Sequence, residues 1–89
     1  MKTIMKVLHQ TPVINITKAD GGTMPECTLV LQELGGQYED SYTATLLGPI
    51  ALRTFEKETI VAVSLRFQAH EYNGQYYQDI ILQELHRVG

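Results

Sequence analysis

The sequence predicts an all-β protein, a small barrel of five strands with one short helix between the third and the fourth. Two observations carry most of that expectation. Between Thr59 and Leu85, two alternating apolar and polar runs face each other across Asn73-Gly74, a pair suited to a type I′ turn because both central positions need positive φ. A second pair of alternating runs flanks Leu34-Gly35-Gly36-Gln37, where adjacent glycines permit the mirror-image turns that hairpins prefer. A third observation places the helix: Gly48 to Lys57 opens with Pro49, which a first helical turn tolerates, and sets Ala51 and Phe55 four residues apart.

Taken in chain order, Ile4 to Thr17 is rich in Ile, Val and Thr and is expected to form one long first strand, bent near Pro12, which lacks a ladder donor. Asp20-Gly21-Gly22-Thr23 is the turn that follows. Glu26 to Leu34 and Tyr38 to Leu46 are the second and third strands. Pairing Leu34 with Gln37 sets Leu29 opposite Tyr42 and Cys27 opposite Ala44, with Thr28 against Thr43 and Val30 against Ser41 on the outer side. In the last hairpin, pairing Tyr72 with Gln75 sets His70 opposite Tyr77, Gln68 opposite Asp79, Phe67 opposite Ile80 and Leu65 opposite Leu82. Directly opposed residues share a face, so Leu65, Phe67, Ile80 and Leu82 line a core side, and Arg66, Gln68, His70, Tyr72, Tyr77 and Asp79 line the other. The order β-β-β-α-β-β, with a long bent first strand, is that of the OB-fold, a partly open Greek-key barrel closed at one end by its helix.

Length and composition bound the rest. Eighty-nine residues at 44% hydrophobic content make a single domain over residues 1–89. Such a chain buries only about 60–65% of the surface exposed on unfolding, which makes a homo-oligomer, dimer or tetramer, a reasonable expectation. The single Cys27 excludes an intramolecular disulfide, and Met1 to His9 lacks the apolar stretch of a signal peptide, so a cytoplasmic location is expected. No apolar run approaches the roughly 18–20 residues of a membrane span. The net charge of −3, with seven Lys and Arg scattered along the chain, argues against a strongly electrostatic nucleic-acid binder.

Exposed rings beside a cation suggest a different mode of recognition. Stacking of a base on an aromatic side chain contributes about 1–3 kcal/mol, so Tyr72 and Tyr77, helped by Arg66, His70 and Lys6, are the candidate residues for holding a single strand of nucleic acid. The competing reading is a solvated surface, with His70 and Tyr77 an ordinary cross-strand pair and Arg66 bonded diagonally to Asp79. Tyr42 and Phe67 are core by periodicity, whereas Tyr38 and Tyr76 lie near hairpin ends where alternation does not discriminate. Lys18 joins Lys6 beside the first strand and its loop, where charge also serves to blunt a strand edge. Glu33, Glu39 and Asp40 would repel phosphate.

Other chemistry finds little support. His9, Cys27, His70 and His86 share no tetrahedral-site spacing, so no metal is expected. Cys27 reads as a small core residue, and inward burial would raise its thiol pKa and blunt its reactivity. Gly21-Gly22 and Gly35-Gly36 lack the spacing of a phosphate-binding loop, and no carboxylate pair or Ser/His/Asp arrangement emerges. Neither enzymatic activity nor a cofactor is expected.

Three segments resemble the bacterial single-stranded-DNA-binding protein family: Gly22-Thr23 followed by Cys27-Thr28-Leu29-Val30-Leu31, then Thr45-Leu46-Leu47-Gly48, then Val63 to Leu82 with Tyr72 and Tyr77-Gln78-Asp79-Ile80-Ile81-Leu82. The turn Glu71-Tyr72-Asn73-Gly74-Gln75-Tyr76-Tyr77 is similar to that of a short, functionally uncharacterised bacterial branch of OB-fold proteins. The resemblance implies an OB-fold that binds single-stranded DNA without strong sequence preference, as a dimer or tetramer. This chain departs from the family in having short loops expected between strands two and three and between four and five, no tryptophan, and Leu47 where Phe is common, and with His86-Arg87-Val88-Gly89 at its end no acidic tail is expected. Those departures imply weaker binding over a shorter site. The alternative is an OB-fold protein-interaction or oligomer-building module without a nucleic-acid ligand, and a minor third reading places an oligosaccharide or peptide in the same groove.

Overall fold

In the computed structural model, residues 1–35 and 38–88 are described, and they form six strands and one 3₁₀ helix. The strands are β1 (Lys2–Gln10), β2 (Ile14–Thr17), β3 (Thr23–Glu33), β4 (Ser41–Leu47), β5 (Ile60–Tyr72) and β6 (Gln75–Arg87). The 3₁₀ helix spans Gly48–Leu52 between β4 and β5. Hydrogen bonding runs in the order β1-β5-β6-β4-β3-β2, and β1 also pairs with β3. That second pairing closes the barrel: β1 lends its first half to β5 and its second half to β3.

Expected strand one is therefore two strands, which accounts for six in place of five. The ladder is interrupted over Thr11, Pro12 and Val13, where proline has no N–H to contribute. Thr11 anchors the break, its N–H donating to the Thr28 carbonyl (2.9 Å) while its hydroxyl accepts from the Thr28 N–H (2.8 Å). The register of β1 on β3 also shifts between Val7 and His9, leaving Leu8 as the extra residue of a bulge. Such an insertion raises local twist and lets one strand bend round two neighbours.

The core is built where inward positions of several strands converge. Met5, Val7, Leu29, Leu31, Leu46, Val61 and Leu65 are fully buried, with Cys27 and Ala44 among the smaller residues between them. Phe55 and Ala51 close one end.

Three further expectations are corrected. β3 and β4 pair two residues out of the expected register, Leu29 facing Ala44 and Leu31 facing Tyr42. The loop is correspondingly longer, closed by the Glu33 N–H donating to the Asp40 carbonyl at 3.0 Å, and Tyr38 lies outside β4. A slip of two keeps every side chain on its face, so burial alone could not distinguish the two registers; the expected turn residues Gly36 and Gln37 lie outside the described residues. Second, the expected helix of Gly48 to Lys57 is a single 3₁₀ segment that ends at Leu52, the chain turning extended at Arg53 (φ −80°, ψ 145°). Ala51 and Phe55 are both buried, but Phe55 is delivered by the following loop. Third, Phe67 sits on the expected side of β5 yet is 42% exposed, at the rim of the core with its ring edge-on to Tyr42, which is itself half-buried (6.4 Å between centroids, 75° between planes).

Candidate nucleic-acid interface

The last hairpin outruns the barrel that supports it. β5 and β6 pair without interruption from Leu65–Leu82 to Tyr72–Gln75, in the register expected from the Asn73-Gly74 turn. Asn73 (φ 51°) and Gly74 (φ 79°) supply the positive dihedrals of a type I′ turn. Every residue from Arg66 to Asp79 is exposed, whichever face it occupies. The distal half of the hairpin is therefore a two-stranded arm with solvent on both sides, its base held by Leu65 and Leu82 in the core.

On the arm's outer face, the His70 and Tyr77 rings lie stacked, 5.4 Å between centroids and 23° between planes. The His70 Nδ1 lies 2.8 Å from the Asp79 Oδ2, one step diagonally across the ladder. The Tyr77 hydroxyl donates to the Gln75 Oε1 at 2.7 Å. So Asp79 takes His70 as its partner in place of the expected Arg66, which has no ion pair among the described residues. Tyr72 is 65% exposed and Tyr77 44%, so each offers ring surface to a ligand. Arg66, His70, Tyr72 and Tyr77 share this face because they occupy positions of one parity on paired strands.

Lys6 does not join them. It pairs with Ile60 at the opposite end of β5, ten residues from His70, and at about 3.4 Å of rise per residue that is roughly 30 Å along the strand. Its ammonium is engaged by the Glu58 carboxylate at 3.4 Å. Lys18, in the loop after β2, sits 3.7 Å from the Asp20 carboxylate. By register, the lysine that shares Arg66's face beside it is instead Lys2, which pairs with Ser64 two residues before it. Only the β1–β5 pairing reveals this, and no local turn encodes it.

The opposite face of the arm carries Phe67, Ala69, Glu71, Tyr76 and Gln78. Where it meets the barrel, the Tyr42 hydroxyl donates to the Glu33 Oε1 (3.2 Å). Burial, with the nearby Glu33 and Asp40 charges, pushes the Tyr42 phenol above its ordinary value. Rings here are accompanied by carboxylates, so phosphate is disfavoured on this side. Among the described residues, no group of three or more His, Cys, Asp or Glu side chains is placed to hold a metal ion. No helix of the described residues is long and apolar enough to cross a membrane.

Two solved structures superpose on nearly the whole chain. The second OB-fold domain of replication protein A from Methanococcus maripaludis matches with a TM-score of 0.74 at 21% identity, over 98% of this chain and 81% of that one. The mitochondrial single-stranded DNA binding protein Rim1 of S. cerevisiae matches with a TM-score of 0.63 at 10% identity, over 99% and 92%. The fold is an OB-fold. No protein-family model and no curated protein matches the sequence. At these identities the likeness is one of architecture, with the extra strand count arising from the interruption of the first OB strand at Pro12.

Proposed function

We propose that this protein binds single-stranded nucleic acid, DNA foremost, without strong sequence preference, through the outer face of the β5–β6 arm. The observation that carries the reading is the solvent-facing row of Tyr72, the His70–Tyr77 stack and the uncommitted Arg66 on a ribbon open to solvent. Every base has a π-face, so ring platforms accept any sequence, and a neighbouring guanidinium neutralises phosphate or stacks in turn. The two structural neighbours support the reading, one by its description as a single-stranded DNA binding protein and the other as a replication protein A domain.

The site residues proposed are Tyr72, Tyr77, Arg66 and His70, with Lys2 beside Arg66 by register; Lys6 contributes only if the strand continues along β5 to the far end of the barrel. A fluorescein-labelled oligo-dT titration followed by anisotropy tests it. Affinity falls as salt rises, and replacing Tyr72 and Tyr77 together with Ala weakens binding about tenfold or more, given about 1–3 kcal/mol per stacked base. The double variant keeps the parent's unfolding transition, since both rings lie outside the core. Binding by the double variant equal to the parent's removes the tyrosines from the site.

A second reading, an oligomer-building module, is favoured by one observation. The outer face of β1, β5 and β6 sets Ile4, 47% exposed, beside Ala62 in a shallow groove bordered by Lys2, Glu84 and His86. No oligo-dT binding at low salt, with a dimer in sedimentation equilibrium that Ile4→Glu dissociates, selects that reading.

A further inference from the structure

We infer that the cleft between the end of β1 and the segment following the 3₁₀ helix is a docking site for an acidic peptide that carries an aliphatic side chain. It measures 470 Å³ and is walled by Leu8 to Val13 on one side and by Ala51 to Phe55 with Lys57 on the other.

Charge selects the partner. Arg53 and Lys57 line the cleft and no carboxylate does, in a chain whose net charge is −3. Lys6 and Lys18 are each held by a carboxylate, whereas Arg53 and Lys57 have no ion pair among the described residues. The acids that flank Lys57 in sequence, Glu56 and Glu58, line a separate cavity with Arg87, and Glu58 is committed to Lys6. A ligand carboxylate would thus meet two cations without displacing an internal one.

Beside the two cations the lining mixes aliphatic side chains, Leu8, Pro12, Val13, Ala51 and Leu52, with neutral polar ones. Leu52 (66% exposed) and Val13 (43%) offer apolar surface at the rim. The Gln10 side chain locks the two walls together, its Nε2 donating to the Arg53 carbonyl (2.8 Å) and its Oε1 accepting the Phe55 N–H (2.9 Å). A frame set before binding spares the ligand the entropy of ordering it. Nucleic acid fits less well: Phe55 is 4% exposed with the Arg53 guanidinium over its ring at 5.1 Å, which leaves the His9 imidazole as the one uncovered ring of the lining. The arm tyrosines are no part of this cleft.

The experiment is anisotropy of the whole chain with a labelled peptide of alternating aspartate and leucine, beside the same peptide with asparagine for aspartate. The acidic peptide binds and the neutral one does not. Lys57→Glu weakens binding about tenfold or more, as loss of a charge-assisted contact demands, and Leu52→Asn weakens it independently; both side chains are exposed, so the fold is kept, as the unfolding transition confirms. The Tyr72→Ala, Tyr77→Ala double variant binds the peptide as the parent does, which separates this site from the arm. Equal binding of the two peptides, displacement of the peptide by oligo-dT, or parental affinity in both cleft variants overturns the assignment.

Discussion

At the scale of single residues, environments decide more than residue types do. Tyr42 illustrates it: its hydroxyl donates to Glu33, with Asp40 nearby, so ionisation would sacrifice a hydrogen bond and place a third negative charge among carboxylates. Because the folded pKa lies above the unfolded value near 10, folding favours the neutral phenol. That contribution is fully present below about pH 10 and is lost as pH climbs through the folded pKa. In an absorbance titration of the five tyrosines, Tyr42→Phe should remove a component that titrates above the ordinary phenol value, and Glu33→Gln should move that component down. Coincident midpoints in the parent and in both variants contradict this account. Gly48 is a second case, where the backbone alone sets the requirement. It lies at φ +79° with open space where a Cβ would stand, so Gly48→Ala carries only the left-handed penalty of about 1–2 kcal/mol. Urea denaturation should show that loss with an unchanged m-value. His70 and Asp79 complete the scale: cross-strand register puts them on one face, but the choice of His70 over Arg66 as the partner of Asp79 depends on ring stacking against Tyr77 that pairing alone does not specify.

At the scale of elements, what could be read from the sequence follows how local the determinant is. The β5–β6 register was legible from Asn73-Gly74 because a two-residue turn with both φ values positive admits one pairing. The β3–β4 register was not, since displacement by two preserves the faces of Leu29, Leu31, Tyr42 and Ala44. Phe55 was recognisable as apolar, but its delivery by an extended loop depends on Gln10, whose amide grips Arg53 and Phe55 from more than forty residues away. Of the candidate site, the arm face was legible for the same reason as its register, whereas the place of Lys6 at the far end of β5 and the approach of Lys2 to Arg66 required the β1–β5 pairing. The Gln10 clamp has a measurable consequence. Gln10→Ala leaves the part-buried Phe55 N–H without its acceptor, a loss of about 1–3 kcal/mol. Thermal unfolding should register it, with faster amide exchange at Phe55; parental stability and exchange would show that the clamp contributes nothing.

For the whole molecule, the charge distribution limits how tightly any single strand can be held. The chain is net negative, two of its lysines are ion-paired, and among the described residues the Lys and Arg side chains that register places on the arm's outer face or beside it are Arg66 and Lys2. A binder that neutralises about two phosphates releases few counterions, so log K should fall against log salt with a slope of about −1.4, or about sevenfold between 50 and 200 mM. On the proposed reading stacking then supplies most of the affinity, through the exposed rings of Tyr72 and Tyr77. Arg66→Ala discriminates between the two contributions, since it removes one cation from an exposed position without touching the core. Its slope should become shallower by about 0.7 while the tyrosine double variant keeps the parental slope and loses affinity at every salt concentration. The reverse pattern, a slope changed by the tyrosines and indifferent to Arg66, would place the phosphate path elsewhere on the barrel.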